Sequence, residues 1–225
     1  MKNIYFALLI SLGLALTSFA QDTAITTDND PATTIVLART GVRTDAPHVG
    51  TYHMVEAFQV RGKWIVPDVC YIDYGTGNYH ELCIGAGRTF YDGKRAMVAS
   101  ELYFAQATGP AAKSARYLWP WTIVQFHFTK KWNSEAVYFP YLPLNSSARI
   151  QHVIERAKVE YTINKTFKVG GGYAGYRYGD DTWQSKPMLT TTISTKRTGA
   201  FEFWLQKMPG GGQIQFRYVL AYAKK

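Results

Sequence analysis

Polar and apolar residues alternate along most of this chain with a period of two. The segment from Gln213 to Ala223 shows the pattern most clearly, because every second residue from Ile214 onward is large and apolar. A period of two is typical of a β-strand with one apolar face. The apolar positions of this last strand are Ile214, Phe216, Tyr218, Leu220 and Tyr222.

The same pattern recurs in segments of about ten residues, separated by turn signals rich in Gly, Asn, Asp and Lys. This spacing predicts an all-β antiparallel meander, closed as a barrel or packed as a sandwich. Residues 33–40 would add a twelfth strand, which gives the even number of bacterial barrels. The eleven segments span 51–61, 63–74, 79–91, 95–107, 121–130, 135–142, 149–163, 166–178, 186–196, 199–208 and 213–223.

Two features of these segments favour lipid over a protein core. The apolar faces are wide and aromatic in most segments, and the chain contains 16 Tyr, 12 Phe and 6 Trp. The polar faces carry charges of both signs, as in residues 153–163, where Val153, Ala157 and Val159 oppose Arg156 and Lys158. We therefore expect a transmembrane β-barrel of about 10–12 strands with a polar interior.

Glycine and proline leave two local questions open. The run of glycines at 170–172 predicts either a sharply bent strand or a loop. Proline lacks a backbone N–H and is rare inside a closed sheet. The segment around Pro140 and Pro143 is therefore expected to be a short strand that ends near Tyr141, or a loop.

The N-terminus has the three parts of a secretory signal peptide over residues 1–20. Lys2 is followed by an apolar stretch from Ile4 to Leu16 and by a small-x-small site that ends at Ala20. Residues 21–50 are predicted to be a polar lead-in, and residues 51–225 the barrel domain.

The formal net charge of +9 suggests an anionic partner. Export and the scattered placement of the basic residues argue against nucleic acid. Lipopolysaccharide phosphate or an acidic solute outside the cytoplasm fits better.

These features together resemble the Gram-negative outer-membrane β-barrel class. Members of that class end in an amphipathic strand that the barrel assembly machinery reads, and Ile214, Phe216, Tyr218, Leu220 and Tyr222 are similar to that signal. The class usually ends on Phe or Trp, whereas two lysines follow Ala223 here. The resemblance implies the outer membrane as the location, with lipopolysaccharide and the assembly machinery as partners.

Charged residues on the polar faces are expected inside the barrel, where they would either pair and fill the lumen or line a narrow path. The chain can therefore be a structural barrel or a narrow pore for small polar or anionic solutes. The predicted lumen charges are Arg88, Arg156, Lys158, Glu160, Glu202 and Arg217.

The two cysteines are predicted to face each other across one hairpin. If the turn is centred between Thr76 and Gly77, then Cys70 lies opposite Cys83, which allows either a disulfide or two buried thiols. His80 and Asp73 would be neighbours in the same hairpin.

No residue pattern predicts an enzyme, a metal site or a bound cofactor. The nearest match to a lipid hydrolase is His127-Phe128-Thr129, which has Thr in place of Ser. Two alternatives to the channel remain: a soluble secreted or periplasmic lipocalin-like barrel or sandwich that binds a ligand or glycan, and a membrane-embedded lipid hydrolase.

Overall fold

The computed structural model describes residues 32–43, 52–74, 77–195, 199–208 and 211–223. Residues 221–223 are described by their backbone only. The predicted signal peptide lies outside these residues. Among them, no helix is long and apolar enough to cross a membrane. Twelve strands account for nearly all of them: β1 (Thr33–Arg43), β2 (Tyr52–Arg61), β3 (Trp64–Asp73), β4 (His80–Asp92), β5 (Ala96–Thr108), β6 (Arg116–His127), β7 (Trp132–Pro143), β8 (Gln151–Thr162), β9 (Phe167–Tyr178), β10 (Gln184–Thr195), β11 (Gly199–Met208) and β12 (Gly211–Ala223).

Each strand pairs with its neighbours in sequence, and β12 pairs with β1 to close the barrel. The predicted all-β meander is thus confirmed, with 12 strands, the upper end of the expected range of about 10–12. One predicted boundary is wrong. The barrel begins at Thr33, within the segment assigned to the lead-in. Residues 33–43 form a strand that pairs with β12 along its whole length and so closes the barrel.

The two ends of the barrel differ in their connections. β1 begins at Thr33 and β12 ends at Ala223 at the same end of the barrel. All strand connections at this end have two to four residues, and we call it the turn end. Most connections at the opposite end, the loop end, have five to eight residues. Outer-membrane barrels have short periplasmic turns and longer extracellular loops, and the two ends of this barrel differ in the same way, so the loop end is the expected extracellular side.

The outward face is apolar and matches a lipid-facing surface. Its middle band is aliphatic, as at Leu82, Ile84 and Leu189, which are 56%, 58% and 65% exposed. Aromatic residues border this band, as they do in membrane barrels. Those near the turn end are Trp64, Phe90, Phe126, Phe128, Trp132, Phe167 and Phe201.

The last strand has the predicted orientation over its described side chains. Ile214 and Phe216 are exposed on the outward face, whereas Gln213 and Gln215 are buried inside. The side chain of Tyr222 lies outside the described part of the chain.

Prolines lie where the ladders are interrupted. Pro67 falls in the register shift between Ile65 and Asp68. The β6–β7 ladder is interrupted between the Leu118–Leu142 pair and the Thr122–Tyr138 pair, where Pro120 and Pro140 lie. β7 nevertheless continues through Pro140 to Pro143 as a strand of 12 residues, so both expected alternatives, a short strand that ends near Tyr141 and a loop, are wrong.

The glycine run is part of β9, and inward glycines lie opposite long inward side chains. Gly170 pairs with Glu160 and Gly172 with Lys158. A similar arrangement joins Gly87 to Glu101. A Cβ atom at these glycines would overlap a neighbouring strand, so glycine lets the partner side chain lie flat across the wall.

We expect Gly172→Ala to destabilise the barrel by about 1–3 kcal/mol, because its new methyl group overlaps the Ala157 carbonyl oxygen and the Lys158 backbone. Gly171→Ala is the matched control, since the nearest atom to its Cβ would be the Met188 carbonyl oxygen at 3.3 Å. Urea unfolding of both variants in detergent checks this. Equal stability of the two variants would contradict the close approach.

Candidate functional site: the barrel lumen

The lumen is lined by two chemically different walls. The inner faces of β3 to β7 form an apolar and aromatic wall, which we call the aromatic wall. The inner face of β2 packs against this wall with Tyr52, Met54, Phe58 and Val60. The other strands, together with Glu135 of β7, present charged and amide side chains, which we call the polar wall.

The aromatic wall is a packed stack centred on Trp119. Its ring lies 4.8 Å from Tyr103, 4.9 Å from Tyr141 and 5.0 Å from Phe139, measured between centroids. The Tyr141 ring is parallel to that of Trp119, and Phe139 meets it edge-on. Such pairs hold their rings in fixed positions, so this wall presents a rigid apolar surface to the lumen.

The polar wall carries a network of ion pairs that reaches across the barrel. Arg39 on β1 pairs with Glu155 on β8, which lies five strands away in the sheet. Arg156 pairs with both Glu155 and Glu135. These contacts tie together three separate parts of the wall.

A second group of ion pairs continues the network on the polar wall. The Lys158 Nζ lies 3.1 Å from the Glu160 Oε2 and 3.3 Å from the Glu202 Oε2. Arg217 donates to the other oxygen of Glu202 at 3.1 Å. The four cations and four carboxylates balance, which buried charges require. We call these eight side chains the charge network: Arg39, Glu135, Glu155, Arg156, Lys158, Glu160, Glu202 and Arg217.

Trp204 lies among the cations of the charge network and is 1% exposed. Its ring centroid is 5.0 Å from the Arg39 guanidinium, 5.9 Å from that of Arg156 and 6.0 Å from the Lys158 Nζ. Its indole nitrogen donates to Glu202 at 3.1 Å. The indole therefore fills space that the charged groups leave and fixes their positions.

The structure places five of the six predicted lumen charges inside the barrel, all of them in the charge network. Arg88 is the exception, and its predicted lumen position is wrong. On β4 the inward positions include Glu81, Cys83 and Gly87, so the even-numbered Arg88 faces outward. Its guanidinium lies over the rings of Trp64 and Phe90, at 5.2 and 5.5 Å.

A β-bulge in β8 brings in a residue that the alternation assigns elsewhere. Ile154 pairs with Gly175 and Ala157 with Tyr173, so two residues of β8 oppose one residue of β9. As a result Glu155 and Arg156 both contact the interior network. The same shift moves Val153 to the inside, against the aromatic wall, which corrects its predicted outward position.

A separate acidic cluster lies beside the aromatic wall. The Tyr103 hydroxyl is 3.0 Å from Glu56, 2.7 Å from Asp68 and 3.2 Å from Glu101. A phenol has one proton to donate, so it serves these three carboxyls one at a time. None of these acids stood out in the sequence, because they come from three different strands and are not neighbours in the chain.

A cavity of about 310 Å³ lies between the two walls in the loop-end half of the lumen. Its aromatic side includes Tyr52, Tyr74 and Tyr141, and its polar side includes Lys186 and Gln213. Arg39 and Glu155 line the cavity as well, so the cavity reaches the charge network at this ion pair.

The cysteine pair lies in the aromatic wall. Cys70 pairs with Cys83 in the ladder, as the predicted register requires, and both are buried free thiols in this structure. Asp73 and His80 are also partners, with 3.4 Å between the imidazole Nδ1 and a carboxylate oxygen.

The residues of the weak hydrolase match point to other roles. His127 pairs with Asn133 through a 2.7 Å hydrogen bond. The Thr129 hydroxyl accepts from the backbone N–H groups of Lys131 and Trp132, which makes it a turn cap. Within the described ranges, no group of three or more His, Cys, Asp or Glu side chains could hold a metal ion.

Comparison with known proteins shows the fold. No family model and no curated protein matches the chain. Among solved structures it is similar to the KdgM porin in complex with disordered oligogalacturonate, at 9% identity and a TM-score of 0.60, over 85% of this chain and 99% of that one.

Two further solved structures show the same likeness. The NanC porin has 12% identity and a TM-score of 0.59, over 84% of this chain and all of that one. The COG4313 outer membrane channel from Pseudomonas putida F1 has 9% identity and a TM-score of 0.58, over 86% and 96%. The chain therefore has the closed-barrel fold of outer-membrane porins.

Proposed function

We propose that this protein is a non-enzymatic outer-membrane channel for small polar or anionic solutes in a Gram-negative bacterium. The observation that carries the proposal is the lumen cavity, which is bounded by the aromatic wall on one side and the polar wall on the other. We call this cavity the vestibule. A solute that enters from the loop end would pass through the vestibule and then reach the charge network, which would be the narrowest part of the path.

The outward face supports the membrane location over a soluble lipocalin-like protein. Large side chains such as Leu82, Ile84 and Leu205 remain more than half exposed around the barrel. A soluble protein rarely exposes apolar surface on this scale. Heating before electrophoresis should change the gel mobility of the detergent-purified barrel. A protein that stays soluble without detergent would contradict the location.

The mouth of the vestibule supports an anionic cargo. Lys186 lies on the polar wall, with its Nζ 4.7 Å from the Tyr176 ring centroid. A cation beside an aromatic ring suits a solute that has an apolar face and a carboxylate. The galacturonate oligomers of the KdgM complex are anionic sugars of this kind and are suitable probes.

The channel is tested by single-channel recording in planar bilayers. We expect stepwise conductance, partial block by galacturonate oligomers added on the loop side, and less block by neutral oligosaccharides of equal length. A bilayer with inserted, folded protein and no conductance would favour the structural role instead.

Lys186→Gln should shift the reversal potential in a KCl gradient toward cation selectivity, because it removes a positive charge from the vestibule mouth. Lys207→Gln is the control, since Lys207 is exposed on β11, next to the inward Gln206. An unchanged reversal potential in the Lys186 variant would show that this wall does not draw anions.

The outward aromatic positions of β12 are the proposed signal for the barrel assembly machinery. Phe216 is 44% exposed and stacks edge-on against Phe203 of β11, with centroids 5.3 Å apart. These side chains remain accessible on the strand that closes the barrel.

A further inference from the structure

An outward-facing group in the loop-end half of the barrel combines a cation, an imidazole and a phenol. Arg177 and His152 are ladder partners, each one residue inside the loop end of its strand. Tyr138 faces outward, since it is 41% exposed between the buried Val137 and Phe139. Its hydroxyl lies 2.9 Å from the His152 Nδ1, and the two rings stack.

The charge on Arg177 is unmatched within the described part of the barrel. Its Nε is buried and has no hydrogen-bond partner there, and no ion pair among the described residues involves this guanidinium. Arginine keeps its charge in proteins. A charge on the lipid-facing side of a barrel is unfavourable unless an anion compensates it.

The position of this group identifies the anion that would be available. Strands of 10–13 residues match the length that a tilted strand needs to cross a bilayer. Residues at the loop ends therefore lie at the headgroup level of the outer leaflet. Arg and Tyr at this level are suited to phosphate, because a guanidinium donates two parallel N–H groups to it.

We propose that Arg177, His152 and Tyr138 form a binding site for a phosphate group of lipopolysaccharide in the outer leaflet. The proposal rests on the membrane location and orientation given above, but not on conduction. Arg177 would supply the charge-assisted hydrogen bonds, while the Tyr138 hydroxyl at Nδ1 would hold the His152 imidazole so that its Nε2–H donates to the same phosphate.

The test measures binding of lipid A to the purified, folded barrel in detergent by native mass spectrometry. We expect Arg177→Gln to weaken binding of bisphosphorylated lipid A about tenfold, the usual scale of one charge-assisted hydrogen bond. Dephosphorylated lipid A should bind the wild type with a similar loss. His152→Gln should give a smaller loss.

Arg116→Gln is the matched control. Arg116 begins β6 at the loop end, next to the inward Tyr117, and its Nε donates to Gln106 at 2.9 Å, so this arginine already has a partner. The control should bind lipid A as the wild type does. Wild-type binding by folded Arg177→Gln, equal binding of dephosphorylated lipid A, or equal binding of phosphatidylglycerol would each overturn the proposal.

Heat-modifiable gel mobility establishes that each variant is folded. Conductance of Arg177→Gln in bilayers free of lipopolysaccharide should equal that of the wild type. Loss of lipid A binding with normal conductance therefore supports the lipid site alone, and absent conductance with normal lipid A binding overturns only the channel.

Discussion

Replacing Arg156 by Leu is expected to destabilise the barrel by about 3 kcal/mol, the lower end of the usual cost of breaking a buried ion pair. Arg156 is 1% exposed and pairs with Glu135 and Glu155. Glu155 keeps Arg39, whereas Glu135 loses its ion-pair partner and keeps the hydrogen bond from the Gln125 amide. An excess negative charge would then remain in the interior.

A second change should restore part of the loss. In Arg156→Leu/Glu135→Gln the excess charge is gone, so this variant should recover more than half of the lost stability in urea unfolding. Arg88→Leu is the control, because Arg88 faces outward between two rings, and a leucine there should be neutral or stabilising. If Arg156→Leu and Arg88→Leu unfold alike, the ion pairs do not hold the barrel.

The strand pattern was predictable because alternation in a closed barrel directly reports which side chains face outward and which face the lumen. A strand between lipid and lumen needs an apolar and a polar face over its whole length. Each of the eleven predicted segments corresponds to one strand, and the conditional twelfth segment at 33–40 is β1. The hairpin register that places Cys70 opposite Cys83 is the observed one.

The lumen was only partly predictable, for reasons that lie in particular residues. The bulge at Glu155 breaks the period of two, so a strict alternation separates Glu155 from the site that it joins. Arg39 was hidden because its strand stands apart from the regular meander, behind a polar segment. Trp204 shares one face of β11 with the polar residues Glu202 and Gln206. This shared face was the signal that the indole lies in the lumen.

The acidic cluster had no sequence signal, since its members come from different strands. Glu56, Asp68 and Glu101 belong to β2, β3 and β5, and all three lie near the Tyr103 hydroxyl. Tyr103 is the ladder partner of Gly85 on β4, and its ring lies over that glycine. The Gly85 position has no side chain to block the Tyr103 ring. Such a meeting depends on the shear of the closed sheet, which the pattern along one strand does not contain.

Replacing Trp204 by Ala is expected to raise the single-channel conductance severalfold. The indole is one of the largest buried side chains among the described residues, and it lies close to Arg39, Arg156 and Lys158, which belong to the proposed constriction below the cavity. Its removal opens space in that layer, and the three cations lose the aromatic face that fixes them. The change should also cost about 3 kcal/mol of stability.

Trp64→Ala separates these effects from a general loss of packing. Trp64 lies on the outward face near the turn end, so its removal should leave the conductance unchanged while it affects the contact with lipid. Recordings of both variants in the same bilayers decide the matter. If Trp204→Ala conducts no better than the wild type, solutes do not pass the charge network. Its eight side chains would then fill the lumen and stabilise the barrel without forming part of a path.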